Sequence, residues 1–148
     1  MKKTIYYWSP FIDRVATIKA VYNSVYSINK FSKNNFNAKI IDTFGEWNNH
    51  DYFSQDKKKF VALTRLNFLN SFSSTGYFKS RLKYLLIFFL CFFPLKKFVK
   101  KVKPDFIIIH LITSLPLFLN LLYKSETKFI LRISGKPKLN FVRLLFWK

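Results

Sequence analysis

β-branched and aromatic residues from Thr4 to Trp8, stopped by Ser9-Pro10, predict a short buried strand. In "DRVATIKAVYNSVYSINKF" the apolar positions Val15, Ile18, Val21, Tyr22, Val25 and Ile28 recur every three or four residues. That spacing predicts one face of a helix, with Asp13 as its cap and the Asn-rich "SKNNFN" as its exit. "AKIIDTFGEW" predicts a second strand ending at Gly45. From Asn48 to Thr75 the chain is polar and weakly periodic, and reads as a loop plus one helix around Lys58 to Phe72. "FKSRLKYLLIFFLCFFPLKKFVKK" then carries the apolar block Tyr84 to Pro94 between two basic clusters, and predicts a helix. Pro104 and Asp105 interrupt it, and "FIIIHL" is apolar on both faces, as a central parallel strand requires. "TSLPLFLNLLYKS" predicts a helix with Thr113 or Ser114 as cap and Pro116 in its first turn. "TKFILRISG" predicts a strand ending at Ser134-Gly135, and "PKLNFVRLLFWK" a helix begun by Pro137. Alternating strands and helices imply an α/β domain with a mostly parallel sheet.

At 148 residues the chain is one domain's worth, and with half of them hydrophobic and 20% aromatic it is too apolar for a disordered protein. A charge of +19 directs attention to anionic partners. The heavy use of Lys, Asn, Ile and Phe is also what an A/T-rich coding sequence produces, so part of the basic excess carries no functional information. Cys91 stands alone in an apolar run and reads as a buried thiol in a reducing compartment. The start "MKKTIYYWSPFIDR" is broken by Ser9, Pro10 and Asp13 and lacks a cleavage site, so it reads as a strand and not as a signal peptide. The block Tyr84 to Pro94 falls short of the roughly 20 apolar residues a membrane span needs. Its helix is either packed on the sheet or laid in a membrane interface, and one element can do both.

In open α/β sheets ligands bind outside the carboxyl ends of the strands. The segments reading onto that rim are Trp8 to Asp13, Thr43 to Trp47, His110 to Ser114 and Arg132 to Gly135. His110 interrupts the apolar run of the central strand just before a helix, where it is either a core histidine or a group facing the ligand crevice. Arg132 can clamp a phosphate or carboxylate, or pair on the surface with Asp105 or Glu126. Trp8 and Trp47 either stack on a sugar ring or fill the core. No Gly-x-Gly-x-x-Gly or Walker loop is present, and one Cys with His50 and His110 does not make a conventional zinc site. No helix-turn-helix or RNP pattern is found, so nucleic acid is not an expected partner.

"KPDFIIIHLITSLPLFL" together with "TKFILRISGKPKLNFVRLLFWK" resembles the N-terminal half of bacterial family 4 glycosyltransferases, the GT-B class of two facing Rossmann-like domains. The likeness extends in element order over nearly the whole chain, and "KKTIYYWSPFIDRVATIKA" looks like the family's first strand and acceptor-side loop. The resemblance implies a Rossmann-like three-layer domain spanning residues 1–148, the acceptor-binding half of such an enzyme. It also implies transfer, with retention of configuration, from a nucleotide-sugar donor to a lipid-linked acceptor in cell-surface polysaccharide or glycolipid synthesis. His110 then matches the catalytic histidine reaching toward the donor sugar. Arg132, Ser134, Gly135, Thr113, Ser114, Ser9 and Asp13 are the candidate substrate-binding residues. Neither metal nor cofactor is expected. The segment Phe78 to Lys101 would dock on the inner face of the cytoplasmic membrane. Two departures stand out: "WSPFIDRVA" has no glycine for a donor phosphate, and the pattern stops at Trp147-Lys148 without a donor-binding half, so the sequence reads as truncated and inactive alone. The alternative is a non-enzymatic, basic membrane-surface protein or an inactive glycosyltransferase remnant.

Overall fold

A computed structural model describes residues 2–12, 16–48, 50–64, 66, 69, 76–110 and 114–132. In chain order these form β1 (Lys3–Trp8), α1 (Ala16–Phe31), β2 (Phe36–Asp42), α2 (Asp51–Gln55), a 3₁₀ turn (Lys57–Lys59) and β3 (Phe60–Ala62). There follow α3 (Tyr77–Val102), β4 (Phe106–Ile109), α4 (Ser114–Leu122) and β5 (Lys128–Leu131). The five strands make one sheet in the order β3-β2-β1-β4-β5, and every neighbouring pair is parallel.

Strand alternation divides the core between two layers of helix. Ile5, Tyr7, Ala38 and Ile40 face α1, whose Ile18, Val21 and Val25 are buried at the spacing the sequence predicts. Tyr6, Trp8, Ile41, Ile107 and Ile109 face the opposite layer, where they meet α3 and α4. On α3 every fourth residue from Lys83 through Ile87, Cys91 and Leu95 to Val99 is buried. Helices on both faces of a parallel sheet make this a Rossmann-like α/β domain of three layers.

Two local devices fix the layers. Asn29 near the end of α1 donates through Nδ2 to the Ala38 carbonyl and accepts from the Ala38 N–H, both at 2.8 Å. β3 pairs only with Ile40 to Asp42, so Ala38 lies on β2 below the reach of that strand, and the amide occupies its groups instead. At the amino ends, Asp105 accepts from the Thr4 N–H at 2.7 Å and from its hydroxyl at 2.9 Å, joining the starts of β1 and β4. This carboxylate is one of the two, with Glu126, that the sequence offered to Arg132, and the amide and hydroxyl of Thr4 hold it below the usual carboxylate range.

Three expectations change. The helix expected around Lys58 to Phe72 gives way at Phe60–Ala62 to an edge strand, because pairing with β2 outweighs local preference in a segment too short to show a period. The second strand ends at Asp42, before the turn at Gly45, whose φ is +86°. α3 runs for 26 residues, well beyond its apolar block, and contains Pro94. It stops at Lys103, a left-handed cap followed by Pro104. The helix expected after Pro137 lies outside the described residues. No helix among the described residues is long and apolar enough to cross a membrane.

Candidate functional site at the carboxyl rim

The strand order reverses between β1 and β4, and sheets of this kind bind ligands outside the carboxyl ends of the strands at such a point. Trp8 pairs with Ile109 and Ile109 with Leu131, so the next residues, Ser9, His110 and Arg132, stand side by side along the rim. The ladder continues one step past the strands. The His110 N–H donates to the Trp8 carbonyl at 2.8 Å, and the Arg132 N–H to the Ile109 carbonyl at 3.1 Å.

Since Ile107 and Ile109 face α3 and α4, His110 faces the α1 layer. Its ring lies 5.7 Å from that of Tyr7 and is only 4% exposed. Nε2 is buried without a hydrogen-bond partner, and so is the Ser9 hydroxyl. Burial, and secondarily the Arg132 charge, pulls the imidazole down to about 4, so it is neutral at physiological pH. Neutral imidazole offers one donor and one acceptor, and an uncommitted ring nitrogen can give or take one hydrogen bond. Tyr7 shares a hydrogen bond with Ser24, and burial raises its phenol while Arg132 works against that rise. Arg132 is exposed, and its charge acts on both rings, lowering the pKa of each.

Ser9, His110 and Arg132 are therefore brought together. Ser114 opens α4. Asp13, Thr113, Ser134 and Gly135 lie outside the described residues. Trp8 and Trp47 are both fully buried and fill the core.

Beside this trio the rim holds a carboxyl pair that composition and spacing did not single out. Asp42 Oδ1 accepts from the Gly45 N–H at 3.1 Å and the Trp47 N–H at 3.4 Å. Glu46 returns across the same turn, accepting from Thr43 at 3.1 Å and Phe44 at 2.8 Å. Burial first, then the charge of Asp42 and a hydrogen bond to it, push Glu46 well above the usual carboxylate range. These causes favour the protonated form of Glu46. Burial first, and second the Glu46 carboxyl once it ionises at higher pH, push the Cys91 thiol up to about 12, which leaves Cys91 an unreactive core group. The available signal was an acid at the end of a strand, with a glycine turn and a second acid following in "DTFGE". A cavity of about 340 Å³ adjoins Asp42, with Asn48, Lys57 and Thr64 also in its lining. Among the described residues no three His, Cys, Asp or Glu side chains gather as metal ligands.

The order 3-2-1-4-5, its parallel pairing and its two helical layers define the class, a Rossmann-like α/β domain whose strand order switches between β1 and β4. No protein-family model, curated protein or solved structure matches the chain.

Proposed function

We propose that this domain is the acceptor-side half of a retaining, family-4-like glycosyltransferase. It would pass a sugar from a nucleotide donor to a lipid-linked acceptor at the inner face of the cytoplasmic membrane. The observation that carries the reading is the neutral imidazole of His110, with an uncommitted Nε2, at the switch point of a Rossmann-like sheet and beside Arg132. A neutral imidazole can hold a sugar hydroxyl at the reacting centre without adding charge, and a guanidinium next to it suits an acceptor phosphate. Since Nε2 is covered, sugar contact requires the rim above it to open. A second, nucleotide-binding domain completes the crevice in this reading.

Membrane attachment rests on the outer faces of α3 and α4. Phe78, Leu82, Leu85, Phe89 and Phe93 form an exposed stripe along α3. It joins exposed Phe118 of α4 through ring contacts: Phe88 and Phe92 each touch Phe118, and they touch Phe89 and Phe93 respectively. Exposed Lys79 and Arg81 precede the apolar stretch, and Lys96, Lys97, Lys100 and Lys101 follow it. Apolar side chains between basic groups suit the headgroup region of an anionic leaflet.

The test joins the downstream coding sequence to an assay. A continuous reading frame encoding a second domain with a Glu-x7-Glu pattern, whose product transfers labelled sugar to a lipid-extractable acceptor, supports the proposal. Loss of at least about a hundredfold in rate on His110→Ala is the expected size for a group acting at the reacting centre. An unchanged rate in that variant removes His110 from the chemistry, and a stop codon with no transfer favours the non-enzymatic membrane-surface protein.

A further inference from the structure

α4 covers one flank of α3, and a groove lies along another. β3 reaches only the last three residues of β2, and a groove of about 580 Å³ runs between the end of β3 and α3. Leu63, Phe93, Pro94 and Phe98 give it an apolar wall, and Lys97 and Lys101 stand at its margin. The two lysines are exposed and four residues apart, hence on one side of the helix. Phe93 is 73% exposed and belongs both to this wall and to the apolar stripe of α3, so the groove opens onto the surface read above as membrane-facing.

We propose that the groove holds one chain of an anionic phospholipid drawn from the bilayer, with its hydrocarbon against Phe93, Pro94 and Phe98 and its phosphate between Lys97 and Lys101. Charge and continuity select this occupant. A second copy of the chain would bring another +19 of like charge to two free ammonium groups. A neutral lipid would leave both without a counter-charge. An anionic lipid satisfies the wall and the margin together, and reaches both from the surface on which α3 lies. The inference rests on the membrane-facing reading of α3 and is independent of sugar transfer at His110.

The experiment uses the full chain bound to phosphatidylcholine vesicles containing a minority of phosphatidylglycerol, sedimented, released into mild detergent and weighed by native mass spectrometry. One phosphatidylglycerol retained per chain is expected. Lys97→Glu with Lys101→Glu should cut that retention at least about tenfold. Lys96→Glu with Lys100→Glu makes the same charge change at the same depth but on the α4 flank, where Lys96 sits over Tyr123, and should keep the lipid. Equal loss in both pairs, equal retention of phosphatidylcholine, or a dimer in place of the lipid-bound monomer overturns the proposal. Sedimentation without retained lipid overturns the groove alone, whereas failure of the natural chain to sediment overturns the membrane reading as well. Circular dichroism of both double variants establishes that each is folded.

Discussion

Two buried groups at the rim give the protein opposite responses to pH. An unfolded histidine takes its proton near 6.5, but His110 in the fold takes it only near about 4. Between those values the unfolded chain binds the extra proton, so this contribution to stability is present above about pH 6.5 and is lost as pH falls. The difference amounts to about 3 kcal/mol at full protonation, and His110→Phe should remove it, as read from denaturant midpoints between pH 7 and 4. Glu46 works the other way. Its folded carboxyl holds a proton that the unfolded chain gives up near the ordinary carboxylate value, so its contribution fades as pH rises from there. Asp42→Asn keeps an acceptor for the Gly45 and Trp47 amides and replaces the repelling carboxylate with a donor to Glu46. The fall in midpoint between pH 5 and 8 should shrink in that variant without vanishing, because burial, the larger cause, remains. An unchanged fall would show that Asp42 does not hold the proton on Glu46.

At the scale of elements, the helix–strand contact at Asn29 is the most exposed to a single change. Asn29→Ala leaves the N–H and carbonyl of Ala38 unpaired where β3 does not reach, at a cost of about 1–3 kcal/mol. Thermal unfolding with a lowered midpoint is the expected outcome, and an unchanged midpoint would mean that water replaces the amide freely. Nothing in the order of residues announces this contact, since Asn29 read only as a position within the first helix. What was legible were elements long enough to show a period or a continuous apolar run: β1, α1, β4, α4 and β5 stand where the hydrophobic spacing puts them. β3 was not legible, because three residues carry no period and its pairing depends on Ile40 to Asp42, about twenty positions away. The rim positions of Ser9, His110 and Arg132 were legible as strand ends, while their adjacency rests on the strand order, which no spacing in the sequence states. The Asp42–Glu46 pair was not legible, since the turn that folds one acid back onto the other is fixed by amide geometry and not by composition.

For the whole molecule, net charge and exposed apolar surface act against each other. Phe78, Phe89, Phe93, Leu121 and Leu122 all remain well exposed, a combined surface of the kind that drives association when nothing opposes it. What opposes it is the charge of +19, which makes two copies repel at low ionic strength. Raising salt shortens the screening length from about 10 Å at 0.1 M to about 3 Å at 1 M, which removes the repulsion and leaves the apolar attraction intact. The same screening weakens the pull of an anionic leaflet on the lysines of α3. Salt should therefore move two measurements in opposite directions. Without lipid, light scattering should report self-association growing with salt, while sedimentation with phosphatidylglycerol vesicles should report binding that declines. Phe89→Ser with Phe93→Ser removes two rings common to both processes and should depress both, leaving the circular dichroism of the fold intact because both side chains already face outward. Association that declined with salt alongside vesicle binding would mean that charge, and not the apolar stripe, holds the copies together.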